Sequence, residues 1–164
     1  MATPRSIETK LVDRTDAPAL RERLNAKNLQ VVFTNGCFDI LHIGHIDYLQ
    51  FARNQGDLLI VGLNSDDSVS RFKGPNRPIV PEDQRARVLA ALEAVDAVII
   101  FDDDEPIELI QDLLPDVLVK GADWAHYVAG REIVEANGGK VVLAPLTQGS
   151  SSSNIVERIK DSKA

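Results

Sequence analysis

Two histidines stand in the stretch TNGCFDILHIGH, residues 34–45, with only an isoleucine and a glycine between them. His42 and His45 could bind a metal ion, donate hydrogen bonds to phosphate, or be ordinary side chains at a helix start. A zinc site needs three or four ligands, so Cys37 and Asp39 would have to complete it. Two imidazoles can instead donate hydrogen bonds to phosphoryl oxygens and stabilise the charge that develops at a pentavalent phosphorus.

The position of this stretch in the chain favours phosphate. It follows the apolar run LQVVF and leads into an amphipathic helical pattern. Ligands of an open parallel sheet bind at the carboxyl ends of strands. Gly36 permits a tight turn and a close backbone approach, and Gly44 leaves room for a ligand. The helix start adds free N–H groups and a positive dipole end, which attract phosphate.

Short apolar runs rich in β-branched residues alternate along the chain with helical patterns. Such runs are typical of strands buried on both faces, and the alternation predicts an α/β fold with a parallel sheet and right-handed crossovers. The predicted strands are VVF (31–33), LLIVGL (58–63), AVII (97–100), VLV (117–119) and VVLA (141–144). The predicted helices are HIDYLQFARNQG, PEDQRARVLAALEAV, EPIELIQDLLP, VAGREIVEANGG and SSNIVERIK.

The segments around these elements complete the predicted organisation. The faces expected to point to the core are Ile46, Leu49 and Ala52 in the first helix and Val88, Leu89 and Leu92 in the second. Gly56 is expected to end the first helix, and SRFKGPNRP (70–78) is predicted to be a long loop. The first 15 residues are expected to be an arm or a frayed lead-in. We divide the chain into an N-terminal arm and lead-in helix, residues 1–27, and one domain, residues 28–164.

Composition limits the class of protein. The chain has 164 residues, 44% of them hydrophobic and 26% charged, which is typical of a soluble globular domain with one core. The net charge of −7 argues against a nucleic-acid-binding surface, which needs a basic face. The single cysteine, Cys37, cannot form an internal disulfide. The sequence shows no signal peptide and no apolar run long enough to span a membrane, so we expect a cytoplasmic protein without membrane contact.

The motif GCFDILHIGH resembles the H-x-G-H signature of the nucleotidyltransferase superfamily, especially its cytidylyltransferase-like branch. The resemblance extends from about residue 28 to about residue 160 and includes GDLLIVGLNSDDSVSRFKGPNRP, VDAVIIF, PDVLVKGADW and GGKVVLAPLTQGSSSSNIV. These segments look like the adenylyltransferase half of the bacterial heptose kinase/adenylyltransferases. The resemblance implies a Rossmann-like three-layer sandwich around a five-stranded parallel sheet. It also implies transfer of AMP from ATP to D-glycero-D-manno-heptose 1-phosphate for lipopolysaccharide core synthesis, with release of pyrophosphate.

The resemblance also implies roles for particular residues. Catalytic contacts with the phosphates fall to His42, His45, Lys73 and Arg77. Nucleotide binding falls to Thr34, Asn35, Gly36, Cys37, Phe38, Arg85, Gly121, Asp123, Trp124 and, in the SSSSN segment at 150–154, Ser151, Ser152 and Ser153. Asp39 and Asn64 are expected on the acceptor side. A Mg²⁺ ion is expected to bridge the nucleotide phosphates, with no metal ligands assigned to the protein, and a homodimer is expected because the superfamily commonly dimerises.

Three departures from the family pattern bear on specificity. Leu146 occupies the position of an arginine that members acting on glycerol 3-phosphate typically carry, which favours the heptose branch. The run Ser-Ser-Ser replaces Ser-Thr-Thr and keeps the hydroxyl groups. Ala122 adds a methyl group where glycine is common. A guanylyltransferase that makes GDP-heptose and a cytidylyltransferase for another alcohol phosphate therefore stay open, as does a nucleotide-binding regulatory domain without turnover.

Overall fold

The computed structural model describes residues 6–147, 149 and 151–162. Within this part of the chain one sheet contains all five predicted strand runs, in the order β3-β2-β1-β4-β5 with every neighbouring pair parallel. The strands are Val31–Gly36 (β1), Leu58–Asn64 (β2), Ala97–Phe101 (β3), Val117–Gly121 (β4) and Lys140–Ala144 (β5). The predicted parallel α/β sheet is thereby confirmed.

Helices cover both faces of the sheet. They are Ala17–Asn25 (α1), Ile43–Arg53 (α2), Asp66–Lys73 (α3), Glu82–Ala91 (α4), Ile107–Leu113 (α5), Arg131–Ala136 (α6) and Ser152–Asp161 (α7). One core cluster joins the sheet to α2 and α4, and a second joins its other face to α1, α5 and α6. This is a Rossmann-like three-layer arrangement. None of the helices in the described ranges is long and apolar enough to cross a membrane.

Alternation along the strands divides the core between the two faces. Val32 packs in the α2/α4 cluster, whereas Val31 and Phe33 pack in the other. Successive side chains of a strand point to opposite faces, so a run that is apolar throughout fills both layers. All seven residues of β2 are buried for this reason.

The inward faces of α2 and α4 differ from the predicted ones. Ile46 is 39% exposed and Val88 is 49% exposed, although both were expected in the core. In α2 the inward stripe begins one position earlier, at His45, and continues through Leu49 and Ala52. In α4 the inward position is taken by Arg85, which is buried. In α2 the inward direction of His45 turns Ile46 outward, because adjacent helical residues are about 100° apart. In α4 the buried Leu89 leaves its neighbour Val88 outward for the same reason. The end of α2 at Arg53, rather than Gly56, is a smaller difference.

The predicted loop at 70–78 is helical in its first half. α3 continues to Lys73 and ends at Gly74, whose φ of 94° lies in the left-handed region. The sequence contains a start signal for this helix, because Ser65 Oγ accepts a hydrogen bond from the Ser68 N–H and two acidic residues occupy the first turn. The connection to α4 is therefore shorter than predicted.

The described part of the lead-in is not frayed. The Val12 N–H donates to the Val98 carbonyl at 3.0 Å, along the outer edge of β3. The Lys10 ammonium donates to the carbonyls of Leu92 and Val95 at 3.1 and 2.7 Å. These bonds fix the segment over an otherwise open sheet edge, which natural sheets commonly cover.

Candidate active site

The strand order reverses between β1 and β4, and the crevice at that point is where ligands of open α/β sheets bind. Val32 pairs with Val117 and Phe33 with Leu118, after which both strands reach the carboxyl edge. The edge residues are Asn35 and Gly36 on β1 and Lys120 and Gly121 on β4. The predicted motif at residues 34–45 therefore begins at the reversal point of the sheet.

The two histidines lie at the start of α2. His42 is the residue before the first helical turn and has extended backbone angles, and its side chain makes no capping bond. The His42 and His45 rings stack with their centroids 3.9 Å apart, and Phe38 contacts His45 at a centroid distance of 5.2 Å. Both Nδ1 atoms are buried without a hydrogen-bond partner among the described residues. Buried polar atoms are nearly always satisfied, so an unpaired couple in a cleft indicates a place for a ligand.

The environment keeps both imidazoles neutral. Burial lowers the pKa of His42. Burial, with the neighbouring His42 and Lys73, lowers the pKa of His45 to about 4. A neutral imidazole still carries one N–H donor, so both rings can donate to an anion at neutral pH.

The turn that presents the histidines has unusual backbone geometry. Phe38 has a φ of 45°, in the left-handed region that non-glycine residues seldom occupy, and its ring is buried. A Cβ atom on Gly36 would lie 3.0 Å from the Phe38 ring, a tight contact. Glycine at this position thus allows the ring to fold back beneath the strand end.

Two adjacent cavities open at this edge, with volumes of about 400 Å³ and about 490 Å³. They share a set of lining residues, which we call the shared wall: Asn35, Gly36, Cys37, Phe38, His45, Lys73, Lys120, Trp124 and Ser152. Molecules bound in the two cavities would therefore lie next to each other at these residues.

The first cavity contains most of the predicted nucleotide-binding residues. Besides the shared wall it is lined by His42, Gly44, Tyr48, Gly121, Asp123, Pro145, Leu146, Thr147, Ser151 and Ser153. The serines precede or open α7: Ser151 Oγ accepts from the Asn154 N–H at 3.1 Å, and Ser152 Oγ donates to the Ile40 carbonyl at 3.2 Å. Ser150, the first of the predicted serine run, lies outside the described residues. A helix start with hydroxyl groups and free N–H groups is suited to phosphate.

The second cavity contains both residues predicted on the acceptor side, Asp39 and Asn64. Carboxylates, an amide, a phenol and aromatic rings line it together. Its lining outside the shared wall is Asp39, Asn64, Arg71, Phe72, Asp104, Glu105, Pro106, Tyr127 and Ala129. A polar set of this kind beside apolar rings can bind a polyhydroxylated molecule by hydrogen bonds and surface contact.

Asp39 is held by the connection between α3 and α4. Its carboxylate accepts from the Ile79 and Val80 N–H groups at 2.8 and 2.9 Å and from Arg77 Nε at 2.6 Å. Burial alone would raise the pKa of Asp39, but these hydrogen bonds and the Arg77 charge outweigh it and lower that pKa. Arg77 is thus paired with Asp39 and lies outside the lining of both cavities, whereas Lys73 lines both.

Arg85 and Thr34 also lie outside the lining of the two cavities, although both were predicted to contact nucleotide. The Arg85 side chain is fully buried and donates to the carbonyls of Cys37, Asn64 and Val80 at 2.6, 3.0 and 2.8 Å, and to the Asp66 carboxylate at 2.6 Å. Buried arginine is stable only with such partners. These donors hold the ends of β1 and β2 together and leave Arg85 away from both cavities, so its contact with the nucleotide stays a prediction.

Thr34 is buried below the site. Its Oγ1 is 2.6 Å from the hydroxyl of Tyr48, which in turn donates to the Val119 carbonyl at 3.1 Å. Burial raises the pKa of Tyr48, so this phenol stays protonated and keeps its donor. The pair links β1, α2 and β4 directly beneath the first cavity.

Sequence reasoning missed Lys120. This lysine ends β4 on the shared wall, where its ammonium donates to Asn35 Oδ1 at 2.9 Å and lies 5.5 Å from the Trp124 ring centroid. The signal was available, because Lys120 directly precedes the predicted residue Gly121 in KGADW. Lysine is seldom buried, so a lysine that follows a buried apolar run at a strand end is a candidate site residue.

A zinc site built on the histidine pair finds no support. Across residues 6–147, 149 and 151–162, no three His, Cys, Asp or Glu side chains come close enough together to hold a metal ion. The Asp39 carboxylate is already bound by Arg77 and two backbone N–H groups, and burial raises the pKa of the Cys37 thiol, which disfavours the thiolate form that zinc needs.

Comparison with known proteins agrees with the geometry. The family model described as cytidylyltransferase-like matches residues 33–158. The bifunctional protein HldE of Syntrophotalea carbinolica is 57% identical over 132 residues, which cover 80% of this chain and 27% of that protein. The bifunctional protein HldE of Azorhizobium caulinodans is 52% identical over 151 residues, covering 92% and 32%. The chain thus spans about three tenths of the length of these relatives.

Solved structures show the same arrangement of strands and helices. The lipopolysaccharide core biosynthesis protein from Thermoplasma volcanium superposes with a TM-score of 0.60 at 27% identity, covering 74% of this chain and 99% of that one. Pantoate-beta-alanine ligase from Francisella tularensis superposes with a TM-score of 0.59, covering 94% and 78%. At 17% identity the second likeness concerns the fold alone.

Proposed function

The chain belongs to the cytidylyltransferase-like family, and from this membership we propose that it is a cytoplasmic nucleotidyltransferase that transfers AMP from ATP to D-glycero-D-manno-heptose 1-phosphate. The products are ADP-heptose, a precursor of the lipopolysaccharide core, and pyrophosphate. The observation that carries the proposal is the pair of cavities at the strand-order reversal, which meet at His45, Lys73 and Lys120. The likeness to the HldE proteins and the sequence features of the heptose branch support the choice of acceptor.

The proposed reaction is an in-line displacement at phosphorus. An oxygen of the acceptor phosphate forms a bond to the α-phosphorus of ATP, and the bond from that phosphorus to the bridging oxygen of the β-phosphate breaks. The electron pair leaves with pyrophosphate. The attacking phosphate is already an anion near neutral pH, so no general base is required. The barrier lies in bringing two anions together, which positioned donors and cations overcome.

We assign the phosphates of ATP to the first cavity. The N–H groups at the start of α2, the two histidines and the serine hydroxyls before α7 would donate to them. His42 and His45 would stabilise the charge that develops on the phosphoryl oxygens, and Lys73 would offset the triphosphate charge. Arg77 would act only through Asp39, by fixing the carboxylate that lines the second cavity.

We assign the sugar to the second cavity. The side chains of Asp104, Glu105 and Tyr127 line it and could hydrogen-bond to sugar hydroxyls, while Phe72 and Trp124 offer apolar surface. At the end away from the shared wall Asp104 is ion-paired with Arg71 at 2.7 Å, so both charges line that part of the cavity. We therefore expect the acceptor phosphate near the shared wall, where Lys73 and Lys120 lie, and its polyhydroxylated body among the other lining side chains.

We expect a Mg²⁺ ion to bind together with the nucleotide and not to the protein alone. The described residues contain no ready cluster of three or more carboxylate, histidine or cysteine ligands. Mg²⁺ usually keeps several waters and binds substrate phosphates with few protein ligands, so the triphosphate oxygens would hold it here. When bound it would neutralise part of the phosphate charge.

The experiment that tests the proposal is a panel of five nucleoside triphosphates against the α and β anomers of D-glycero-D-manno-heptose 1-phosphate, with pyrophosphate release as the readout. We expect turnover with ATP and one anomer. Preferred use of GTP or CTP would instead identify the protein as a guanylyltransferase or a cytidylyltransferase. Release from no pair would contradict the enzyme assignment and leave a binding domain.

The matched control for this panel is His45→Ala, purified in parallel. Removing a donor that acts mainly in the transition state should lower kcat by about 10² or more. Activity that persists unchanged in the variant would come from a contaminant or from another site.

A further inference from the structure

Lys120 is the one lysine of β4, and the sheet places it where the strand order reverses. β1 and β4 are hydrogen-bonded neighbours, and the Lys120 ammonium bridges their carboxyl ends by donating to Asn35 Oδ1 at 2.9 Å. The side chain lines both cavities. A cation at this position faces whatever lies on either side of the shared wall.

The ammonium has donors to spare. It carries three N–H groups, and the contact with Asn35 uses one of them. Asn35 is an uncharged partner, so the lysine charge is not neutralised by a directly hydrogen-bonded carboxylate among the described contacts. The nearest ring, that of Trp124, lies 5.5 Å from the ammonium and leaves the cavity side accessible. A half-buried cation is costly to keep charged, and an anion in the adjoining cavity would complete its surroundings.

We infer that Lys120 is a further catalytic residue of the transfer reaction: its ammonium binds the acceptor phosphate at the shared wall and offsets the repulsion between that phosphate and the α-phosphate of the nucleotide. Asn35 is the positioning residue that directs the ammonium toward the junction. This inference rests on the proposed function, because it assigns the two cavities to the two substrates.

The charge state of Lys120 gives the inference a pH signature. Burial lowers the pKa of Lys120 to about 8, and the nearby Cys37, Asp123 and Glu105 partly oppose that shift. The other ionisable groups that face it across the shared wall are His45 on α2 and Lys73 on α3. Both histidine pKa values lie below 6.5, so neither titrates with Lys120.

The test compares Lys120→Met, Lys120→Arg and Lys140→Met with the unaltered protein. Methionine keeps the bulk and removes the charge, arginine keeps the charge, and Lys140 is an exposed lysine at the opposite end of the neighbouring strand. We expect Lys120→Met to lower kcat/KM for the acceptor about 10²-fold, while Kd for ATP measured by calorimetry without acceptor changes less than threefold. Lys120→Arg should recover part of the rate, and Lys140→Met should match the unaltered protein.

Two further readouts separate catalysis from a structural role. In the unaltered protein kcat/KM for the acceptor should fall as the pH rises past about 8, and Lys120→Arg should move that decline above pH 10. The melting temperature of Lys120→Met should be unchanged or higher, because a buried charge has been removed. An unchanged kcat/KM for the acceptor, an equal loss of ATP binding, or a lower melting temperature that accounts for the lost activity would overturn the inference.

Failure of the proposed function would appear differently, as absence of pyrophosphate release from the unaltered protein with every substrate pair. In that event inorganic phosphate is the probe, with binding measured by calorimetry. About tenfold weaker binding to Lys120→Met than to Lys140→Met would uphold an anion site at Lys120, and equal binding would overturn it.

Discussion

At the scale of single residues, His45 both packs against its neighbours and lines the candidate site. It occupies the inward stripe of α2, where its ring stacks on His42 and contacts Phe38. The same ring lies on the shared wall of the two cavities. Packing that immobilises a donor reduces the entropy lost when a phosphate binds to it, which is how a folded core prepares a site before the ligand arrives.

That burial should make the protein acid-sensitive. The folded state lowers the pKa of His45 to about 4 from an ordinary value of 6.5, so between these values the unfolded chain binds a proton that the folded chain does not. The free energy of unfolding should therefore fall as the pH is lowered from 6.5 to 4. His45→Gln should flatten that slope, as measured by urea unfolding across this range. His126→Gln, at an exposed histidine, is the control, and equal slopes in the two variants would contradict the account.

At the scale of elements, the strands could be predicted from the sequence, and the helix faces only in part. Leu49, Ala52 and Leu89 are buried as predicted, whereas Ile46 and Val88 are exposed. Four of the five apolar runs are buried along most of their length, and their hydrophobicity identified them. The fifth, β5, lies at the sheet edge and buries only Ala144, although it was predicted to be buried on both faces. In α2 and α4 the core faces contain His45 and Arg85, whose polarity hides the inward direction. Arg85 is stable inside only because of carbonyls from residues as distant as Cys37, and no local pattern encodes such partners. The contact of Lys120 with Asn35 likewise depends on distant residues, because the pairing of β1 with β4 brings the two strand ends together.

The helix α7 should respond most to nucleotide. None of its ten residues is buried, whereas its start lines the first cavity through the serines. Helices without buried contacts open easily, and a bound phosphate at the start of such a helix adds hydrogen bonds that oppose opening. A non-hydrolysable ATP analogue should slow amide hydrogen exchange in α7 more than in α1, which packs on the other face of the sheet. Equal slowing in both helices, or none in α7, would argue against a phosphate at the serines.

At the scale of the whole molecule, the fold brings four separate segments together at the carboxyl edge of the sheet. They are the end of β1 with the start of α2, the end of α3, the end of β4 with the residues after it, and the start of α7. The lead-in, although far from that edge, completes the molecule by covering β3 through Lys10 and Val12. The division of the chain at residue 27 stays a prediction, as does the homodimer. The sequence could not show the covering of β3, because it depends on carbonyl groups at Leu92 and Val95, more than 80 positions from the lysine.

The contribution of the lead-in to global stability can be measured at Lys10. Lys10→Ala removes the donor from two carbonyls, and a lost buried hydrogen bond costs about 1–3 kcal/mol. The urea midpoint should fall accordingly. Lys27→Ala, at an exposed lysine of the same segment, should stay within about 0.5 kcal/mol of the unaltered protein. If both variants unfold at the same midpoint, the lead-in does not stabilise the fold through Lys10.

The shared wall has a consequence for inhibitor design. Because the same residues line both cavities, the two cavities adjoin, and one compound can occupy both with a very short linker. Joining two weakly bound fragments in this way converts the second binding event into an intramolecular one, at an effective concentration in the millimolar range or above. Neither fragment then needs high affinity of its own. Selectivity can be sought in the second cavity, with its mixed charges and aromatic rings, while the fragment in the nucleotide cavity stays generic.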